Sequence, residues 1–176
     1  MNGSRLINSE YLYHGRVVTL RIDTVVTADG RETRREIVEH NGAVAIVPLL
    51  DHETILLIRQ YRPAVNEHLL EIPAGTIEKG EDPDSTAARE LEEEIGYKAA
   101  FLQLLFSQYL APGYSSEVLH AYLGKDLTLS VTEFDADEDI ELVPVKIQDI
   151  EPMILDGRIK DSKSIAALLV ALRLIQ

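Results

Sequence analysis

The sequence predicts an α/β protein in which helices pack on a β-sheet. Short runs rich in Val, Ile, Leu and Thr, bounded by turn residues, alternate with segments of helical periodicity. The chain has 176 residues, of which 45% are hydrophobic and 27% are charged, values that suit a soluble domain able to bury a substantial core. We therefore expect a layered α/β fold.

The first predicted strands lie near the N-terminus. Residues 16–28 are rich in Val, Ile and Thr, and Asp29-Gly30 is a turn signal that leads into a return strand at 35–40. These strands precede the alternating helical and strand segments. We therefore expect a β-rich segment over residues 1–42 that packs separately from residues 43–176.

The rest of the chain contains both kinds of element. Its predicted strands are 43–50, 54–60, 69–73, 101–109, 118–123 and 141–147. Its predicted helices are 83–95, about 149–156, and a C-terminal helix entered through Asp161 as the N-cap.

The charge and composition exclude several classes of protein. Seventeen basic and thirty acidic residues give a net charge of −13, which argues against a nucleic-acid surface and means that an anionic substrate needs a local cation. The chain has no cysteine, and its apolar runs are too short to span a bilayer. The N-terminal residues do not resemble a signal peptide, so we expect a cytoplasmic protein without membrane contact.

One predicted helix carries a cluster of acids. Asp82 suits its N-cap, Pro83 its first position and Gly96 its left-handed exit. Helical spacing places one group of residues on a buried stripe: Ala87, Ala88, Leu91 and Ile95.

The same spacing places Glu90, Glu93 and Glu94 together on an adjacent face, where like charges repel. A solvated acidic face is the alternative, but such faces usually alternate acids with Lys or Arg. Residues 90–97 contain neither Lys nor Arg, and the acidic face borders the apolar stripe. A group of carboxylates is the ligand set that Mg²⁺ or Mn²⁺ requires.

These acids belong to a longer pattern, which resembles the box of the Nudix hydrolase family: Gly75-x5-Glu81-x7-Arg89-Glu90-Leu91-x-Glu93-Glu94-x-Gly96-Tyr97. The resemblance implies an α/β/α sandwich with a mixed β-sheet. It also implies metal ligation by Glu90, Glu94 and the carbonyl of Ala74. By the same resemblance Glu93 is catalytic as a ligand or close neighbour of the metal, Arg89 orients the acids, and Glu81 supports the loop.

Segments outside the box resemble the ADP-ribose pyrophosphatase branch of this family. They are RQYRPAV (59–65), LLEIPAG (69–75), SQYLAPGYSSE (107–117) and IKDSKSIAALLVAL (159–172), and Pro112 stands at a position associated with that branch. The resemblance implies Mg²⁺-dependent cleavage of ADP-ribose to AMP and ribose 5-phosphate, with Mn²⁺ as an alternative metal.

Four residues resemble substrate-binding positions of the branch. Arg62 corresponds to an arginine that grips the diphosphate with a bidentate fork, and Arg34 to one supplied near the nucleotide by the N-terminal region. Glu71 resembles an acid that binds ribose or nucleotide, and Glu117 a residue near the terminal ribose. For each, an ordinary surface or strand-end role is the alternative.

A second acidic cluster covers residues 133–141. On composition it is a solvated loop, whereas the resemblance implies a catalytic glutamate there, for which we choose Glu138. Some relatives place an acid where this chain has Ala136. The alternatives for the general base therefore stay open: Asp137, Asp139 and Glu133.

Other functions remain as alternatives. The same chemistry on GDP-mannose, ADP-glucose or a dinucleotide is one, and a non-hydrolysing metabolite sensor is another. A sensor can lose metal ligands, whereas every acid of the box is present here, which favours an enzyme. The resemblance also implies a homodimer in which the N-terminal strands of one subunit help to build the nucleotide site of the other.

Overall fold

Ten strands and three helices form the part of the chain that the structure describes. The computed structural model describes residues 4–130 and 140–175. In chain order the elements are β1 (Arg5–His14), β2 (Thr19–Val26), β3 (Glu32–Glu39), β4 (Ala43–Asp51), β5 (Thr54–Arg62), β6 (Glu67–Glu71), β7 (Ala74–Thr76), α1 (Pro83–Ile95), β8 (Tyr97–Tyr109), β9 (Val118–Leu129), β10 (Ile140–Lys146), α2 (Ile147–Leu155) and α3 (Ser162–Ile175).

The chain divides into two units. The first consists of Met1–Gly42 with Gln108–Val118, and the second of Ala43–Ser107 with Leu119–Gln176. In the first unit β1, β2 and β3 form an antiparallel sheet, as the β-rich N-terminal sequence predicts. The pairing of β1 with β2 is interrupted by two register shifts, between Leu6 and Asn8 and between Tyr11 and Tyr13.

The second unit contains a seven-stranded mixed sheet. Its strand order is β10-β5-β4-β9-β8, with β6 paired to β5 and β7 paired to β4. β4 and β9 run parallel, whereas β10 with β5, β4 with β5, and β5 with β6 are antiparallel. The predicted mixed sheet is therefore confirmed.

Helices cover both faces of the central strand β4. Its residues 44–47 are all fully buried, as expected of a strand covered on both faces. Val44 and Ile46 pack in one cluster with Leu91 and Ile95 of α1. Their neighbours Ala45 and Val47 point to the opposite face because side chains alternate along a strand, and α3 also packs against β4. This is the layered α/β arrangement that the sequence predicts.

The ends of α1 form as the sequence predicts. The side chain of Asp82 accepts a hydrogen bond from Ser85 N at 3.0 Å, and Gly96 closes the helix with φ of 70°. One detail of the buried stripe is wrong, since Ala88 is exposed and Thr86 is buried in its place. Within the described ranges, no helix combines the length and the apolar content that a bilayer crossing requires.

Candidate active site

Arg89 lies at the centre of the acidic cluster on α1. Its Nε and Nη2 donate to the two oxygens of Glu81, each at 3.1 Å. Its Nη1 donates to Glu93 Oε2 at 2.7 Å and lies 2.9 Å from Glu90 Oε1. One guanidinium therefore holds three carboxylates, which offsets part of the repulsion among them.

These contacts fix the charges of the group. Hydrogen bonds from Arg89 lower the pKa of Glu81 to about 2. The hydrogen bonds that Arg89 donates to Glu81, followed by the one it donates to Glu93, raise the pKa of Arg89. Both partners are therefore charged at neutral pH, and the orientation of the acids is set by ion pairs.

Glu90 occupies the space beside Gly75 on β7. A Cβ at residue 75 would come within 1.9 Å of Glu90 Cδ and 2.0 Å of its Oε1. No real Cβ makes contacts this short, so Glu90 can occupy this position only while residue 75 is glycine. The close approach places the Glu90 carboxylate directly against the β7 backbone.

Glu94 contacts the residue before Gly75. It is only 7% exposed, and its Oε2 accepts a hydrogen bond from Ala74 N at 2.9 Å. Glu90 and Glu94 stand four positions apart, so they share one face of α1. The carboxylates of Glu90 and Glu94 on that face both lie against the Ala74–Gly75 backbone.

The donor set fits a hard divalent cation. Glu81, Glu90, Glu93 and Glu94 carry four negative charges against the one positive charge of Arg89, which leaves a formal charge of −3. Among residues 4–130 and 140–175, no group of three or more Asp, Glu or His side chains is arranged closely enough to hold a metal ion as it stands. The residues that fit are Glu90 and Glu94, whose carboxylate oxygens adjoin the same stretch of backbone and suit Mg²⁺ or Mn²⁺.

Arg62 and Glu71 form a second charged group in the same unit. Arg62 Nε and Nη2 donate to the two carboxylate oxygens of Glu71 at 2.9 Å and 2.8 Å. The Glu71 side chain is 1% exposed, whereas that of Arg62 is 36% exposed. The Glu71 carboxylate is therefore held inside the protein, and the guanidinium extends from it towards solvent.

Lys163 completes the environment of Glu71. Its Nζ donates to Glu71 Oε2 and, at 3.0 Å, to Asp161 Oδ2. Burial raises the pKa of Glu71, but the hydrogen bonds and charges of Arg62 and Lys163 outweigh burial and lower it overall. Sequence reasoning identified Asp161 only as an N-cap and gave Lys163 no role, since no local pattern reports a partner 92 positions away.

The remaining site predictions fall elsewhere. Arg34 lies on β3 of the first unit, is largely exposed, and its Nη2 donates to Glu10 Oε2 at 3.3 Å. Glu117 also belongs to the first unit, where its Oε1 lies 3.9 Å from His40 Nδ1. Glu138 and its alternatives lie outside the described residues.

Comparison with known proteins decides the family. The model of the NUDIX domain matches residues 39–168, about three quarters of the chain. The chain belongs to the Nudix family. The Nudix family, which the box of residues 75–97 predicts, is thereby confirmed.

Curated relatives extend the match to nearly the whole of this Nudix chain. It is 36% identical to the ADP-ribose pyrophosphatase of Bacillus subtilis, covering 93% of this chain and 90% of that one. It is 39% identical to the ADP-ribose pyrophosphatase of Mycobacterium tuberculosis, covering 93% and 80%. It is also 39% identical to the methanol dehydrogenase activator of Bacillus methanolicus, covering 93% and 89%.

A solved structure supports the same assignment. A crystal structure of an ADP compounds hydrolase superposes with a TM-score of 0.88 at 25% identity, covering 99% of this chain and 95% of that one. The predicted Nudix-type fold is therefore confirmed, and the protein is a Nudix hydrolase.

Proposed function

We propose that this Nudix hydrolase cleaves the pyrophosphate bond of ADP-ribose to give AMP and ribose 5-phosphate, with Mg²⁺ as its cofactor and Mn²⁺ as an alternative. The observation that carries the proposal is the placement of Glu90 and Glu94 against the Ala74–Gly75 backbone beside the Arg89 cluster. Similarity to two ADP-ribose pyrophosphatases over 93% of the chain supports the choice of substrate.

The acids of α1 would hold the metal. Glu90 and Glu94, with the carbonyl of Ala74, are the proposed ligands. Arg89 fixes the position of Glu90 through its Nη1 and holds Glu93 in the same group. A divalent cation there would supply positive charge against the phosphate oxygens and acidity to activate water.

Arg62 is the proposed diphosphate-binding residue. In a protein with a net charge of −13, an anionic substrate needs a local cation. The Glu71 carboxylate fixes two nitrogens of the Arg62 guanidinium, so the group is oriented before substrate arrives. We therefore assign Glu71 to substrate binding through Arg62.

Hydrolysis breaks one P–O bond of the P–O–P bridge: the attacked phosphorus gains the hydroxyl of water, the other phosphate leaves with the bridging oxygen, and both products are phosphate monoesters. The attacking water gives up a proton, and in this proposal a carboxylate accepts it. We assign this role to Glu138, with three acids of the same segment as alternatives: Asp137, Asp139 and Glu133. Their individual Asn or Gln variants separate these choices, because loss of the base lowers kcat far more than it raises KM.

Residues 1–42, the N-terminal β-rich segment, are the proposed dimerisation segment. Large apolar side chains of β1 are exposed on the single chain: Leu6, Ile7, Tyr11, Leu12 and Tyr13. An exposed apolar strand favours association, and a two-fold pair is the commonest outcome. In the proposed homodimer, Arg34 of one subunit contacts the nucleotide bound by the other, and Glu117 lies near the terminal ribose.

A panel of diphosphates tests the proposal. Initial rates with Mg²⁺ are measured on ADP-ribose, ADP-glucose, GDP-mannose, NADH and a diadenosine polyphosphate. We expect ADP-ribose to have the highest kcat/KM. A higher kcat/KM for another substrate would reassign the specificity, whereas binding of ADP-ribose without hydrolysis of any member would make the protein a sensor.

A further inference from the structure

Residues 71–74 run from the last residue of β6 to the first residue of β7, and each of the four makes a hydrogen bond or ion pair with another element. Helix α3 supplies two of these contacts. In order, these contacts are Glu71 with Arg62 and Lys163, Ile72 N to Ser164 Oγ at 2.9 Å, Ile46 N to Pro73 O at 2.9 Å, and Ala74 N to Glu94 Oε2 at 2.9 Å. The segment thus joins the Arg62 side of the candidate site to its metal side.

The first turn of α3 is itself fixed. Asp161 Oδ2 accepts hydrogen bonds from Ser164 N at 3.0 Å, from Ser164 Oγ at 2.6 Å and from Lys163 Nζ at 3.0 Å. The Lys163 side chain is only 13% exposed, which is unusual for a lysine. Its ammonium group is therefore held in one place between Asp161 and Glu71.

Lys163 balances the charge around Arg62. Arg62 and Lys163 carry two positive charges against the two negative charges of Glu71 and Asp161, so loss of Lys163 would leave a net negative charge beside Arg62. Asp161 caps α3, where the N-terminal end of the helix dipole also stabilises its negative charge. Lys163 is buried and Arg62 is more exposed, so Arg62 is the cation of this group that an anionic substrate can reach.

We propose that Lys163 is a positioning residue for substrate binding. By sharing the Glu71 carboxylate, it holds that carboxylate, and with it the Arg62 guanidinium, in the orientation that receives the diphosphate of the substrate. This inference rests on the proposed function and adds to it a residue that acts through Arg62 rather than by touching the substrate. It predicts an effect on binding of the ground state, which KM reports, and little effect on the chemical step.

Lys163→Met tests the role directly. We expect KM to rise about tenfold, as for loss of one charge-assisted hydrogen bond, while kcat changes by less than about twofold. Lys163→Arg keeps the charge and donors and should restore most of the affinity. Lys160→Met is the matched control, because Lys160 also joins the entry of α3 to a glutamate of β6, Glu67, but does so at the surface. It should leave both constants unchanged.

A double-mutant cycle separates positioning from a general structural role. If Lys163 acts through Arg62, Lys163→Met should add almost nothing to the rise in KM that Arg62→Ala causes. Additive effects would overturn the proposal, as would an unchanged KM in folded Lys163→Met and Lys163→Gln. Failure of both variants to fold, judged by circular dichroism, would also overturn it, since Lys163 would then serve stability.

The same assay distinguishes failure of this inference from failure of the proposed function. KM is measured on ADP-ribose and on the panel member with the highest kcat/KM. If ADP-ribose is a poor substrate but Lys163→Met raises KM for another diphosphate, the specificity is wrong and the positioning role stands. If the wild-type protein hydrolyses no member, both are overturned.

Discussion

The carboxylate of Glu90 lies so close to Gly75 that a Cβ at residue 75 would approach its Cδ to 1.9 Å. Helix α1 and strand β7 therefore meet at a point where only a hydrogen atom fits. On the neighbouring residue, Ala74 N donates to Glu94. The two proposed metal-binding carboxylates are thus positioned by two consecutive residues of one short strand.

Gly75→Ala should displace Glu90. The added methyl group cannot coexist with the carboxylate, so Glu90 must change rotamer or β7 must shift. We expect kcat to fall by about two orders of magnitude, the size of effect typical of a lost electrostatic contact in a catalytic site. Binding of Mn²⁺, followed by electron paramagnetic resonance, should weaken in parallel.

Gly124→Ala is the control for this substitution. A Cβ there would lie 3.4 Å from Ile46 Cγ2, which is ordinary van der Waals contact. The Gly124→Ala variant should therefore retain wild-type activity and Mn²⁺ binding. Wild-type activity in folded Gly75→Ala would show that the position of Glu90 is not needed for catalysis.

Glu94→Gln should abolish most turnover while the fold survives. Glutamine has nearly the same shape and its amide oxygen can still accept the hydrogen bond from Ala74 N, so the main loss is the negative charge. We expect kcat with saturating Mg²⁺ to fall by at least about two orders of magnitude. Glu151→Gln, which removes an exposed charge from α2, should have no such effect. Full activity in the Glu94 variant would remove Glu94 from the metal site.

Local signals explain why α1 could be predicted and β1 could not. Asp82, Pro83 and Gly96 mark the ends of α1 within the sequence itself, and the structure has the helix at the predicted residues. β1 was expected only as part of a β-rich segment. Its two register shifts interrupt the alternation of side chains on which strand prediction depends.

The same distinction applies to the site. The acids of the box stand close together in the sequence, so helical spacing predicts that they form a cluster. The contact of Lys163 with Glu71 joins residues 92 positions apart, and no spacing rule reports it. The resemblance placed Arg62 and Glu71 at the substrate, but only the structure shows that they bind each other.

The Glu81–Arg89 pair should make stability depend on pH in acid. Glu81 has a pKa of about 2 in the folded protein, against an ordinary value of 4.5. Because the folded pKa is lowered, the pair stabilises the fold fully above pH 4.5, and this contribution is lost as the pH falls towards 2.

Glu81→Gln isolates that contribution. The difference in free energy of unfolding between wild type and Glu81→Gln should be largest above pH 4.5 and should shrink towards pH 2. Urea unfolding at several pH values across this window measures it. If the difference in free energy of unfolding stays constant with pH, the pKa of Glu81 is the same in the folded and unfolded states, and the expected lowering is wrong.

Subunit mixing tests the proposed sharing of the site between protomers. Arg34→Ala should weaken catalysis by removing a nucleotide contact, and Glu94→Gln should remove metal binding. After exchange of subunits between these two variants, a heterodimer should contain one site with both an intact Glu94 and an intact Arg34. Activity should therefore reappear in the mixture. Absence of recovery, with exchange demonstrated by mass spectrometry, would place Arg34 in the site of its own subunit or outside any site.

Product analysis with ADP-ribose tests the central proposal most directly. The purified protein is incubated with ADP-ribose and Mg²⁺, with and without a chelator, and the products are separated by ion-exchange chromatography. We predict equal amounts of AMP and ribose 5-phosphate, formed only while the metal is available and not by Glu94→Gln. Intact ADP-ribose, products other than this pair, or equal rates in the presence of the chelator would contradict the account.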